Sequence, residues 1–569
     1  MSLSYEEIRA LLTAPGQMFE IEELEIDGIR MRNWKNTPPS MAAIVEQSRN
    51  YGDREFIVYK GERLSYSEHY ARVATLAQRL VCDLGVEKGD RVAIAMRNYP
   101  EWSIAFWAAA SAGAVVVPLN AWWTAEELRY GIEDSGSKLI FVDGERLERL
   151  ASVRARCACL QQVVAVRCRD VPADAIDFGD LVAVASPDSV LPAIAFDPED
   201  LATLFYTSGS TGFPKGTMGT QRNFCSAAIT VPYNGVRSML RMGRSPEELA
   251  ELQATMVPAA LLTVPLFHVT GCHGIMLGMF VGGGKLVVMH KWDPAEALDL
   301  IEQERITLFG AVPTMAWQLV ESPGIGKRDL SSLVNIGYGG APAAPELLRR
   351  IKAVLPEALP SNGWGITEAS SAITMISGND YEARPESVGH AFPIIELKVV
   401  NEGGEEVPRG GLGELWIKGP NVVKGYWNKP EATAKSFTQG WFHTGDVGKI
   451  DEEGFVYVVD RLKDMIIRGG ENVYCAEVEA ALLEHADVNA ACVFGVPHTV
   501  LGEEVGCVVE VAPDRSIDEQ ELRQHLASRI AKFKIPTRVW FRHEPLPLGA
   551  TGKIQKKELR EFYIAQLDN

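Results

Sequence analysis

The sequence predicts an α/β protein: helices on both faces of doubly wound, mainly parallel or mixed sheets, then a β-rich subdomain, then a small α+β unit. Three observations carry this reading. Helix and strand signals alternate to about residue 340, the texture turns to strands and tight turns from 394, and a compact mixed pattern follows Arg461-Leu-Lys463-Asp464. A chain of 569 residues exceeds what one core supports, so about two to four domains are expected.

Taken in order, Ser65-x-x-Glu68 is a capping box, followed by Tyr70, Val73, Leu76 and Leu80 at helical spacing, with Gly85 as the stop. The run DRVAIAM (90–96) reads as a strand. Residues 104–123 carry no charge over twenty positions, which would suit a membrane span. However, Gly113 divides a helix-like half from the β-branched run Val115 to Val117, which Pro118 ends, so a buried helix and a buried parallel strand are expected instead. A helix from Glu126 should end near Gly131, and KLIFVD (138–143) should be the next strand. LATLFYT, GKLVVMH, ITLFGAV and LVNIGYG continue the alternation, and IELKVVNEGGEEVPRGGLGELWIKG opens the β-rich part. Beyond a boundary near Lys463 come a helix over 476–486, the strands AACVFGV and EEVGCVVEV, a helix opened by Ser516-x-x-Glu519, and the strand TRVWFR. The joining stretch is short and charged, as a hinge would be, not a Gly/Ser tether.

A net charge of −19 argues against nucleic acid or an anionic membrane as the main partner, while leaving room for a local basic site. The nine cysteines are scattered; Cys157, Cys159 and Cys168 cluster without a CxxC or a histidine at zinc spacing, so reduced thiols and a cytoplasmic location are expected. MSLSYEEIRALL has no signal-peptide layout, and no transmembrane segment is expected. The partners anticipated are small molecules, with a homodimer admitted.

YTSGSTGFPKG (206–216) sets hydroxyls, glycines and one lysine together, as a phosphate-holding loop requires. It is not a Walker A loop: counted from Gly209, Pro214 stands where glycine belongs and Gly216 where Ser/Thr would bind Mg²⁺. Further polar clusters sit where strands should end, the position at which open α/β sheets bind ligands. These are Gly339-Gly340-Ala341-Pro342, Gly363-Trp364-Gly365-Ile366-Thr367-Glu368, Asp446 with Arg461, and Lys553 on the loop GATGKI.

Together with PLFHVTG (265–271), GELWIKGPNVVKGYWNKPEAT (413–433) and DRLKDMIIRGGENVYCAEVE (460–479), these motifs resemble, in order, the adenylate-forming superfamily. Within it the chain is most similar to the acyl-CoA synthetases, over about residues 50 to 560. The resemblance implies a large N-terminal domain (1–462) and a small mobile C-terminal domain (463–569). It also implies two half-reactions, with ATP, Mg²⁺ and coenzyme A taking part: carboxylate and ATP give acyl-AMP and pyrophosphate, then the CoA thiol displaces AMP.

By the same resemblance, Thr207, Ser208, Gly209, Ser210, Thr211, Gly212 and Lys215 would enclose the β/γ-phosphates. Gly339, Gly340, Ala341, Pro342, Gly363, Trp364 and Gly365 would hold the nucleotide, with Trp364 stacking on or flanking adenine. Thr367 would contact the α-phosphate, and Glu368, with Thr211, would hold Mg²⁺. Asp446 would accept from the ribose hydroxyls beside Arg461. Lys553 would bridge carboxylate and α-phosphate, and rotation about Lys463 would exchange it for the loop 468–472, with Gly469 and Gly470 lining the pantetheine channel. His268 would act as a gate or carboxylate contact. Three departures stand out: Gln221 where the family often has His, Trp364 for the commoner Tyr, and a charged segment at 236–255 expected to be a solvated helical insertion.

Amino-acid-activating relatives typically place Asp after the Phe matching Phe267. Here His268 follows, and no acidic residue lies between 257 and 292, so an uncharged, hydrophobic acid is expected. A medium- or long-chain fatty acid is the first choice; an arylpropenoic or sterol-derived acid is the alternative. Delivery of the acyl group to a carrier-protein thiol is a second activity to weigh. A silent binding protein would need neither Glu368 nor Lys553.

Overall fold

The computed structural model describes residues 3–207, 213–512 and 515–567. Two large sheets form its centre. One runs Lys215–Thr220, Leu201–Thr207, Val115–Pro118, Arg91–Ala95, Leu139–Asp143, Gln162–Val166, Ile176–Asp177, parallel except at its first pair. The other has nine strands, with a parallel middle formed by Leu359–Ile366, Asn335–Gly339, Leu308–Ala311, Ala259–Leu262, Lys285–Val288 and Glu55–Tyr59. The helices Tyr66–Cys82 and Pro100–Ser111 share one core with both sheets: Trp102, Phe106 and Trp107 pack with Ile57, Val92, Val116 and Leu286.

The charge-free run 104–123 is a buried helix and then the buried strand Val115–Pro118, separated by Gly113 at φ +79°. No described helix is long and apolar enough to cross a membrane. The capping box at Ser65 and Glu68 is formed, and Gly85, at φ +62°, lies just past that helix.

Three expectations need correction. The helix beginning at Ala125 runs through Gly131 to Ser135 and stops at Gly136, φ +65°. Gly131 is needed for closeness instead: a Cβ there would stand 2.6 Å from Trp123 Cζ3. In the C-terminal part the helix Glu519–Ala527 is capped by Asp518, which accepts from the Glu521 N–H; Ser516 does not cap it. The segment 236–255 is not merely solvated. It completes the helix Gln221–Arg241 and forms a second helix, Pro246–Thr255, whose Leu249 is buried with Ile8 and Leu240.

The β-rich part carries Glu396–Val400, Gly413–Lys418, Trp441–Ile450 and Val456–Arg461. A separate sheet follows from Ile466–Arg468 through Val488–His498, Gly502–Val511 and Arg538–Arg542, its hydrophobic cluster closed by the helices Cys475–Leu483 and Glu519–Ala527.

Candidate active site

The parallel strands Asn335–Gly339 and Leu359–Ile366 pair in a register that sets Gly339 opposite Gly363. A Cβ on Gly339 would stand 2.5 Å from the Gly363 carbonyl oxygen, so this approach excludes any side chain. Gly340 turns the chain at φ +77°, and a methyl there would meet Lys553 Cε and Nζ at 3.5 Å. The GGAP turn is thus the seat of the C-terminal lysine; Ala341 is half-buried and Pro342 exposed beside it.

One strand further, the chain passes Trp364 and Gly365 into a single tight turn, Thr367–Ala369, and folds straight back along Ser371–Ser377. The reversal is pinched: a Cβ on Gly365 would come within 2.3 Å of the Ser371 carbonyl oxygen. It is also strained, with Ser370 at φ 52° and Ser371 at φ 137°. Such conformations cost about 1–3 kcal/mol each and persist where the surroundings over-determine them. Thr367 and Glu368 are held at this tip. The Tyr426 hydroxyl donates to Glu368 Oε1 at 2.8 Å, and burial raises the Glu368 pKa.

Tyr426 also connects this tip to the lysine of the phosphate-loop motif. Its segment lies along Lys215–Thr220: Met218 N–H donates to Gly425 O at 2.9 Å and Trp427 N–H to Gly216 O at 2.8 Å. Lys215 Nζ then lies 4.6 Å from the Tyr426 ring centre. Thr207 faces Lys215 in the antiparallel register. Ser208, Gly209, Ser210, Thr211 and Gly212 lie outside the described residues.

Asp446 and Arg461 are cross-strand neighbours, their side chains joined at 2.9 Å. The other Asp446 oxygen accepts from the Trp364 indole N–H at 2.8 Å. Trp364 is therefore buried against Phe442, Ile394 and Ile373, its polar edge spent on Asp446. Burial raises the Asp446 pKa, against the opposing pull of Arg461. Each carboxylate oxygen keeps a second lone pair for a further donor.

Lys553 completes the cluster. Loss of solvation lowers its pKa to about 8, with Arg461 and Lys463 pushing the same way and Asp446 opposing. His268 lies within the same field: burial first, then the Lys553 charge and coupling to the His273 ring, bring its pKa to about 3, so it is neutral. Its Nδ1 accepts the Thr270 N–H at 3.2 Å, which leaves the proton on Nε2. Thr270 starts the π-helical turns Thr270–Met276, an uncommon geometry often found at functional sites.

The sequence-predicted residues Gly340, Glu368, Asp446, Arg461, Lys463, His268 and Lys553 are thus linked by contact or by mutual charge. Gly469 and Gly470 stand elsewhere, on an exposed hairpin beside Leu501 and Gly502. Tyr426 is the residue that sequence reading missed, although it sits inside the motif 413–433; nothing in its spacing signals a bond to Glu368. Gln221, the odd residue at a His position, is buried and accepts the Met41 N–H at 2.8 Å, a structural use.

Comparison with known proteins bears on the family of the chain. Residues 44–427 match the AMP-binding enzyme family and residues 477–553 match the AMP-binding enzyme C-terminal domain. The chain is 37% identical over 504 residues to a feruloyl-CoA synthase of Amycolatopsis, covering 88% of this chain and 94% of the relative. It is 33% identical to a long-chain-fatty-acid–CoA ligase of Mycobacterium tuberculosis, covering 87% and 93%. Among solved structures it resembles o-succinylbenzoate CoA synthetase from Bacillus subtilis in complex with its acyl-adenylate intermediate, with a TM-score of 0.75, 29% identity, and coverage of 91% of this chain and 97% of that one. With its glycine-seated lysine, its pinched Thr-Glu turn and a match over most of its length, this chain belongs to the AMP-binding enzymes of the adenylate-forming superfamily.

Proposed function

We infer that this protein is an AMP-forming acid–thiol ligase that makes an acyl-CoA from a hydrophobic carboxylic acid, ATP and CoA. The observation that carries the reading is Lys553, a partly desolvated cation from a C-terminal loop, seated over Gly340 in the field of Asp446 and Arg461. A carboxylate attacking an α-phosphate brings two anions together, and preorganised cations offset that repulsion by several kcal/mol.

In the first half-reaction a carboxylate oxygen bonds to the α-phosphorus and the bond to pyrophosphate breaks. Lys553 bridges the two reacting anions, Thr367 steadies the α-phosphate, and Lys215 with residues 207–212 holds the departing phosphates. Asp446 takes the ribose hydroxyls, and the Gly339-to-Pro342 turn and the Gly363-to-Gly365 strand end border the nucleotide. Glu368 suits one Mg²⁺ ligand position: a carboxylate at a strand-end turn, its Oε1 steadied by Tyr426. Once bound, that ion offsets phosphate charge.

In the second half-reaction the CoA sulfur bonds to the acyl carbon, AMP leaves, and the thiol proton passes to solvent or base. We place the division between the two domains after residue 462, with Lys463 as the hinge and Gly469 and Gly470 carried towards the pantetheine arm. Neutral His268 fits a contact to the acid carboxyl group.

The absence of an acidic residue in 257–292 favours an uncharged tail. A medium- or long-chain fatty acid is the first substrate class, supported by likeness to the long-chain ligase. An arylpropenoic acid is the second, supported by likeness to the feruloyl-CoA synthase. Pyrophosphate release over a panel holding dodecanoate, palmitate, ferulate, coumarate and alanine, with and without CoA, tests both. Release with the apolar acids and CoA-dependent thioester is expected; alanine as the preferred acid would overturn the substrate reading.

A further inference from the structure

Two side chains of the large N-terminal part grip main-chain atoms of the C-terminal part, and neither has a role in the site above. Thr314 is the second residue of the helix Pro313–Val320, and its hydroxyl donates to the Gly552 carbonyl oxygen at 2.6 Å. Gly552 precedes Lys553, has φ +78°, and is pressed on the start of that helix. A Cβ on it would stand 2.9 Å from Met315 Cε and 3.0 Å from Val312 Cγ2. Thr314 therefore fixes the backbone from which the lysine extends towards Gly340.

Asp460 is the penultimate residue of the strand Val456–Arg461 and is 6% exposed. One of its oxygens accepts the Arg461 N–H at 2.7 Å and the other the Cys475 N–H at 2.5 Å. Cys475 opens the helix Cys475–Leu483, whose preceding residue Tyr474 supplies no side-chain cap. Asp460 thus satisfies an N–H that helix starts leave unpaired, and its charge faces the positive helix end. Lys556, bonded to Glu479 of the same helix at 2.9 Å, brings a cation into the Asp460 field. Both grips span Lys463, so each opposes a turn of the C-terminal part about that residue.

We propose that Thr314 and Asp460 are positioning residues that hold the Lys553 loop for acyl-AMP formation and let go before thioester formation. The proposal rests on the two-step reading above. A long lysine side chain is useful only when its backbone is fixed, since misplacement by about 1 Å can cost about 100-fold in rate.

The test uses the full-length protein, the acid it adenylates fastest, and the synthetic acyl-AMP of that acid. Thr314→Val and Asp460→Asn are each expected to lower acid-dependent ATP–pyrophosphate exchange about five- to tenfold, the loss of one hydrogen bond. Thioester formation from the supplied acyl-AMP should stay near wild type in both, and Thr314→Ser should restore exchange. Equal loss of both half-reactions, or unchanged exchange, overturns the proposal. Lys553→Ala measured alongside separates the two levels. If it abolishes exchange while Thr314→Val does not lower it, only the grip is wrong; if it leaves exchange intact, the parent reading is wrong.

Discussion

Lys553 is a cation only below about pH 8, because burial and the charges of Arg461 and Lys463 outweigh Asp446. The protonated amine is the form that can offset charge on the α-phosphate. The kcat/KM for adenylation, which reports the free enzyme, should therefore stay level below about pH 8 and fall about tenfold per unit above it. Lys553→Arg, whose guanidinium stays charged, should run more slowly and lose that falling limb. Single residues differed in how far the sequence exposed them. Glu368, Asp446 and Lys553 draw attention as polar groups among glycines in motifs that follow one another in a fixed order, although Asp446 lies within the strand Trp441–Ile450 and Lys553 on the loop before the helix Lys556–Ala565. The Trp364 bond to Asp446 joins two sheets far apart in sequence, and no local pattern encodes it. Thr314 reads as an ordinary helix-start threonine until Gly552 is seen beside it.

The helix Ala125–Ser135 shows how an element hides its own end. Both Gly131 and Gly136 are credible stops by composition; only the second has the left-handed backbone that a stop uses. Gly131→Ala would gain about 1 kcal/mol of helix propensity. It would also drive a methyl to 2.6 Å from Trp123 and 2.9 Å from Leu119. Overpacking of this kind costs about 1–3 kcal/mol, so a lower urea midpoint is expected, with an unchanged slope; a raised midpoint would show that the pocket yields. Periodicity located the buried pair at 104–123 because glycine and proline punctuate it. It missed Asp518 as a cap because two acceptors, Ser516 and Asp518, compete within one turn.

At the scale of the molecule, the sequence order of motifs conveyed the two-part plan, whereas the grips between the parts join residues far apart in the chain and show only in the fold. Lys463 lies in the exposed turn where Asp464 N–H donates to Arg461 O at 3.0 Å. Proline fixes φ, so Lys463→Pro is expected to leave pyrophosphate exchange near wild type and to cut thioester formation from supplied acyl-AMP about tenfold or more. Normal rates in both steps would remove the hinge from residue 463. The nine-stranded sheet has a different consequence, one for synthesis. Its strand Glu55–Tyr59 takes Lys285–Val288 as parallel neighbour, Ile57 facing Leu286. On a ribosome adding about 5–20 residues per second, Phe56 and Ile57 emerge roughly ten seconds or more before that neighbour exists. For that interval their strand pairing is limited to the short hairpin mate Glu62–Ser65, with Tyr66 and His69 of the next helix as the nearest cover for Phe56, so the nascent chain exposes an apolar strand edge that the finished enzyme does not.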